Sequence, residues 1–182
     1  MIGRRACEKE RRPSFCGGCA VELPSVTCCF TGHRELPAPR LPRLRALLDA
    51  AVEAAAQAGY TAFISGAARG FDLLAAEAVL SAKARRPELR LILALPCPDQ
   101  TRGWPEADLR RWRAIVDACD ESLCLSPFYT PQCMLFRDRW MVDHSARCIC
   151  YMTRFQGGTG FTMRCALERE LEMVNLALRM DA

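Results

Sequence analysis

The sequence predicts an α/β protein built on a doubly wound, mainly parallel sheet of about five strands flanked by helices. Three observations carry that prediction. Apolar strand candidates begin near Val26 (VTCCF), Tyr60 (YTAFIS), Arg90 (RLILAL), Glu121 (SLCLS) and Arg147 (RCICYM), about thirty residues apart, the length of a strand–helix–strand unit. The runs are apolar without polar alternation, as strands buried on both faces are. Each gap between them contains a segment with helical spacing. Residues 42–58 place Pro42 in a first turn, Leu44, Leu47, Leu48, Ala51, Val52 and Ala55 at helical spacing, and Gly59 as the stop. Residues 71–84 are alanine-rich, and residues 105–118 start at Pro105 and carry Leu109, Trp112, Ile115 and Val116. Further helices are expected over about 131–145 and about 160–178.

The composition sets the frame for function. The chain has 182 residues, 51% of them apolar and 25% charged, ordinary values for one soluble domain. Residues 1–24 are charged and irregular and read as a flexible N-terminal extension, with residues 25–182 forming a single domain. The extension carries +2 of the net +4, which leaves a near-neutral body. That balance argues against a strong nucleic-acid surface while leaving room for a local basic groove. No apolar run reaches bilayer length and no signal-peptide core is visible, so a cytoplasmic protein with no membrane partner is expected.

Twelve cysteines resemble a disulfide scaffold by number only. Cys28, Cys29, Cys124, Cys148 and Cys150 fall inside apolar strand-like runs, where a thiol behaves as a small hydrophobe, so reduced and buried cysteines are expected. Cys16 and Cys19 form a CxxC pair and are the metal or redox candidates. A second properly spaced pair is missing, and the plainer reading is a tail with incidental thiols.

In a sheet of this kind ligands bind beyond the carboxyl ends of the strands, so the loops at that edge hold the candidate site. The first is Thr31-Gly32-His33-Arg34, whose hydroxyl, imidazole and guanidinium can donate to an anion. The second, Ser65-Gly66-Ala67-Ala68-Arg69-Gly70, leads into a helix through Asp72. Its small residues can bring backbone N–H groups to a ligand, the helix start favours negative charge, and Arg69 offers a fork suited to phosphate. Asp72 is expected to hold a ribose hydroxyl, with a first-turn charge as the plainer alternative. The third loop contributes Gln100 and Trp104, to read or stack a base, although Trp104 would equally pack its own helix. The fourth contributes Ser126 and, in the following helix, Arg137. An Arg139–Asp143 pair at i, i+4 is the competing structural use of that segment. The fifth is Gly157-Gly158-Thr159, a second glycine turn before a helix at the same edge.

Taken in order, TGHR, SGAARGFD with its AAE, PCPDQ with Trp104, FRDRWMVDHS and CYMTRFQGGTGFT resemble the YpsA-like branch of the SLOG superfamily over about residues 25–178. The resemblance implies a Rossmann-like domain that binds nucleotides or nucleotide-derived ligands. A related branch, the lonely-guy phosphoribohydrolases, carries PGGxGTxxE, whose glutamate takes part in cleaving a nucleoside monophosphate. Aligning the glycines puts Phe161 at its threonine and Arg164 at that glutamate, a departure that argues against the same hydrolysis. The branch of DNA-processing protein A has a very similar SGxARG(I/V)D turn and binds single-stranded DNA. The expected function is therefore binding of a nucleotide-derived ligand, as a sensor or regulator, with no cofactor required. Two alternatives stand beside it: a hydrolase using Asp72, Glu77 or Asp143 as its carboxylate, and a single-stranded-DNA module. Homo-oligomers are left open, and nucleic acid is the less favoured partner.

Overall fold

The computed structural model describes residues 23–180, and the CxxC candidates Cys16 and Cys19 lie outside them. Leu23 and Pro24, expected to end the irregular extension, instead belong to a short 3-10 turn, Leu23–Val26, that feeds the first strand. The strands are β1 (Thr27–Gly32), β2 (Ala62–Ser65), β3 (Arg90–Leu95), β4 (Glu121–Cys124), β5 (Arg147–Tyr151) and β6 (Glu172–Asn175). They alternate with α1 (Leu41–Gln57), α2 (Phe71–Lys83), α3 (Glu106–Ala118), α4 (Cys133–Asp143) and α5 (Gly157–Glu168). All pairings are parallel and the order across the sheet is β4-β3-β2-β1-β5-β6. The protein is thus the expected Rossmann-like α/β fold, with one strand more than the sequence indicated.

Strand alternation sorts the core into two layers. Phe30, Phe63, Leu91, Leu93 and Ile149 face α1, α2 and α3, where they meet Leu44, Leu48, Leu73, Val79 and Ile115. Cys29, Ile64, Ile92, Cys148 and Cys150 face α4 and α5, where Met141, Val142, Met163 and Ala166 close the second layer. Cys28, Cys29, Cys148 and Cys150 are buried free thiols, and burial raises the pKa of Cys28 and lifts that of Cys150 to about 12, so Cys28 and Cys150 stay protonated and inert. Cys124 is the correction: it is exposed, because β4 is the edge strand and buries little of itself.

The expected helix over 160–178 is replaced by α5, β6 and a 3-10 turn at Leu176–Arg179. Glu170 takes a φ of 56°, which stops the helix without a glycine or proline to announce it. The chain then pairs Glu172 with Arg147 and Val174 with Ile149, covering the open edge of β5. Asn175 fixes the end of this strand by accepting from the Met152 amide and donating to the Met152 carbonyl (3.1 and 3.0 Å).

Between β1 and β5 the chain changes direction across the sheet: β2, β3 and β4 build outward on one side of β1, β5 and β6 on the other. Loops leaving β1 and β5 must therefore diverge, and a crevice opens between them.

Candidate functional site at the sheet switch point

A cleft of about 230 Å³ occupies that crevice. The β1 loop, Thr31 to Arg34, forms one wall, and Gln156, Gly157, Gly158 and Thr159 at the start of α5 form the other. Ala68, Asp72, Arg137 and Asp138 make the floor. A second lobe of about 240 Å³, lined by Arg69, Gln100, Arg102, Gly103 and Trp104, shares Arg34, Ala68 and Met134 with the first. Each lobe alone is smaller than the ~300–1,000 Å³ of typical ligand pockets, whereas the two joined fall within that range. A larger, shallow hollow of about 490 Å³ lies elsewhere, at Glu53, Arg85, Arg86 and Glu88. Arg86 there already pairs with Glu53 at 2.6 Å and Glu88 at 3.6 Å, so the switch-point cleft is the better candidate.

The SGAARG turn is built mainly for internal support. Ser65 is wholly buried; its hydroxyl donates to the Asp72 carbonyl (3.0 Å) and accepts from the Ala67 amide (3.1 Å). Ala67, also wholly buried, takes a φ of 47°. A Cβ at Gly66 would overlap the Arg137 guanidinium, and one at Gly70, where φ is 78°, would overlap the Arg34 backbone carbonyl. A Cβ at Gly32 would meet the Phe71 ring. The space beside these three glycines is taken by Arg137, the Arg34 backbone and Phe71, while Gly32 also lines the cleft. The turn's own contribution to the cleft is Ala68 and Asp72.

Open space lies against the fifth loop. Nothing stands within 4 Å of a Cβ built on Gly157, and Gly158 would meet only Asp138 Oδ2, at 3.6 Å. The first N–H groups of α5 are left without intrahelical carbonyl partners by the geometry of any helix start. The cleft wall here is thus a run of donors at the positive end of a helix dipole.

The floor carries the strongest electrostatics. Arg137 is 4% exposed; its Nη1 donates to the Gly66 carbonyl (2.6 Å) and its Nε to Asp138 Oδ1 (2.7 Å). Asp72, 6% exposed, lies 3.9 Å from Arg137 Nη1, beyond hydrogen-bond reach. Burial pushes the Asp72 carboxyl up to about 7, with Arg137 opposing the shift and Asp138 adding to it. Burial raises Asp138 as well, against Arg137 and a hydrogen bond with Thr162. Two acceptors are thus held under the cleft with one guanidinium between them.

The other expected residues divide clearly. Arg34 is exposed, reaches both lobes, and has no ion-pair partner among the described residues. Thr31 lines the cleft from a nearly buried position. His33 Nε2 accepts from the Thr153 amide at 2.9 Å, while burial and Arg154 lower its pKa; the ring is held neutral, with only Nδ1 left to donate. Arg69 enters the second lobe tethered to Asp108 (2.8 Å). Gln100 Nε2 donates to the carbonyls of Ala67 (2.7 Å) and Gly66 (3.3 Å), bracing the turn, while its Oε1 is buried without a partner. Trp104 lines the second lobe and also packs against the core. Ser126 donates to the Phe128 carbonyl (2.7 Å) and lines neither lobe.

Two carboxylate candidates are placed away from the cleft. Glu77 joins three helices, accepting from Arg111 at 2.6 and 3.0 Å and from Arg45 at 3.2 Å. Asp143, at the far end of α4, pairs with Arg139 (3.4 Å) and Arg169 (2.9 Å). Asp138, Met134 and Gln156 are lining residues the sequence reading did not nominate. The signal for Asp138 was an adjacent Arg–Asp pair in a helix with a poorly defined apolar face, where both charges turn out to be buried. Among the described residues no group of three His, Cys, Asp or Glu side chains is arranged to hold a metal ion.

A parallel sheet with a crevice at its switch point defines the class: a Rossmann-like α/β protein. The chain belongs to the YspA SLOG family, whose family model matches residues 28–178. Over 85 residues it is 27% identical to UPF0398 protein BH1768 of Halalkalibacterium halodurans; that match spans 46% of this chain and 45% of the relative, less than half its length. Its fold is similar to that of DNA processing protein A from Helicobacter pylori, with a TM-score of 0.59 and 18% identity over 86% of this chain and 67% of the other. The Streptococcus pneumoniae counterpart gives a TM-score of 0.56 and 16% identity over 84% and 50%. The single-stranded-DNA-binding mode is described for the H. pylori protein. At these identities the likeness is one of fold. No helix among the described residues is long and apolar enough to cross a membrane.

Proposed function

We propose that the cleft binds a nucleotide or nucleotide-derived ligand and that the protein serves as a sensor or regulator of it. The observation that carries this reading is the meeting of Arg34 and the α5 start across a crevice floored by Asp72. A phosphate would take the amides of Gly157, Gly158 and Thr159 and the guanidinium of Arg34. The sugar would lie over Asp72, and the base would extend into the second lobe beside Trp104. Arg69 plays a lesser part because Asp108 already occupies it. Calorimetric titration with a panel of mononucleotides and dinucleotides tests the proposal. Wild type binds at least one of them; Arg34→Ala weakens binding about tenfold, and Gly158→Asp, which sets a negative charge at the helix start, abolishes it. A panel with no binder, or equal binding by both variants, contradicts it. Of the carboxylates nominated for hydrolysis only Asp72 lines the cleft, so turnover of the bound nucleotide, lost in Asp72→Asn, would add a hydrolase activity to the binding role.

A second reading has its own support. The fold likeness to the H. pylori protein coincides with exposed Phe128, Tyr129, Phe136 and Phe155, borne on the loop before α4, on α4 itself and on the loop before α5. Stacking aromatics with nearby arginines are what single-strand binding uses. It predicts affinity for an oligodeoxynucleotide that falls steeply with salt; a flat response removes it.

A further inference from the structure

The cleft floor is unusual for a surface meant to meet anions: it presents two carboxylates. Asp72 comes from the first turn of α2 and Asp138 from α4, which lie on opposite faces of the sheet. Both side chains are about nine-tenths buried and both line the cleft. Asp138 spends one oxygen on Arg137 Nε. Its other oxygen lies toward Gly158, 3.6 Å from the point a Cβ would occupy there. Asp72 receives the Ala68 amide, and its nearest guanidinium nitrogen is 3.9 Å away. An ionised carboxylate offers about four acceptor positions and no donor, and the Arg137 Nε, the Thr162 hydroxyl and the Ala68 amide fill only part of what the two groups offer. A phosphate brought to this floor would meet two carboxylates against a single guanidinium, Arg137, whose Nε and Nη1 already donate to Asp138 and to the Gly66 carbonyl. A neighbouring pair of hydroxyls brings two donors at the spacing of two adjacent carbons.

We propose that Asp72 and Asp138 together hold the vicinal diol of a ribose, so that the site selects ribonucleotides and rejects 2′-deoxyribonucleotides and DNA. The inference rests on the nucleotide-binding reading and narrows its ligand class. The phosphate meets Arg34 and the α5 amides above, and the sugar hydroxyls point down to the acids. Asp138, a residue without a role in the sequence reading, becomes a determinant of specificity. A sugar lacking the 2′-hydroxyl leaves one buried acceptor without its donor, and sites built around a substrate hydroxyl discriminate strongly against its absence.

The test titrates the full-length protein with ribose 5-phosphate against 2-deoxyribose 5-phosphate, and with the four ribonucleoside 5′-monophosphates against their 2′-deoxy counterparts. The expected result is binding of the ribo compounds at least tenfold tighter than the deoxy compounds. Asp138→Asn is expected to reduce that ratio several-fold, with its thermal melt recorded to establish that the variant is folded. If it does not fold, Asp72→Asn serves as the second variant, and the wild-type comparison decides the matter without either. Equal affinity of wild type for the ribo and deoxy series overturns the diol assignment while leaving nucleotide binding in place. Absence of binding by every compound overturns both. Tighter binding of a single-stranded oligodeoxynucleotide than of any ribonucleotide overturns the assignment in favour of a DNA-binding cleft.

Discussion

Arg137 shows how much of the site depends on one side chain. It is placed on α4, reaches over the carboxyl edge of the sheet to the Gly66 carbonyl just after β2, and sets one positive charge among the two buried acids of the floor. Replacing it with methionine leaves those charges uncompensated, and a loss of ~3–5 kcal/mol in a urea or thermal unfolding measurement is expected. Gly66→Ala pushes a methyl into the same guanidinium and is expected to cost ~1–3 kcal/mol, read the same way. Asp72 has the opposite sign. Its folded pKa of about 7 lies above its unfolded value, so the folded state binds the extra proton between about pH 4 and 7. Its contribution is fully present below pH 4 and is lost as pH rises through 7. Asp72→Asn is therefore expected to gain stability relative to wild type as pH rises from 4 to 7, by up to ~4 kcal/mol, and to hold that difference above 7. A constant difference between the two proteins across that range would refute the assignment.

At the scale of elements, the helix starts do separate work. The α2 start is sealed by Gly70 against the β1 loop and delivers Asp72, whereas the α5 start faces open space and offers its amides. The sequence makes both turns visible, because glycines before an apolar helix are unusual enough to notice. It does not reveal which glycine faces solvent and which faces Arg137, since that depends on contact across seventy-one residues of chain. Glu77 was equally opaque: alone in AAEAV it reads as inward or outward, and only the packing of α1 and α3 on α2 supplies Arg45 and Arg111. Glu77→Gln is expected to lower stability by ~1 kcal/mol or less, its partners being partly exposed, and to leave ligand affinity unchanged. The missed strand β6 has a similar cause. ALERELEMVNLALRM is made of strong helix formers, and the unpaired edge of β5 overrides that propensity.

For the molecule as a whole, the fold was legible because the thirty-residue strand–helix period is written in apolar runs, and it is confirmed by the family match and by the six-stranded sheet. The site was legible as an edge and as loops. Of its floor, Asp72 and Arg137 were legible as candidates and Asp138 was not, because its burial beside Arg137 acquires meaning only when both layers close. The two lobes share Arg34, Ala68 and Met134 along the carboxyl edge, and the proposed ligand would lay its phosphate in one and its base in the other. The most direct test is a crystal structure of the protein soaked with the tightest-binding nucleotide of the panel. The account predicts phosphate oxygens within hydrogen-bond distance of the Gly158 and Thr159 amides and of Arg34, with the sugar against Asp72. A nucleotide seated elsewhere, with the α5 start left unoccupied, would contradict it.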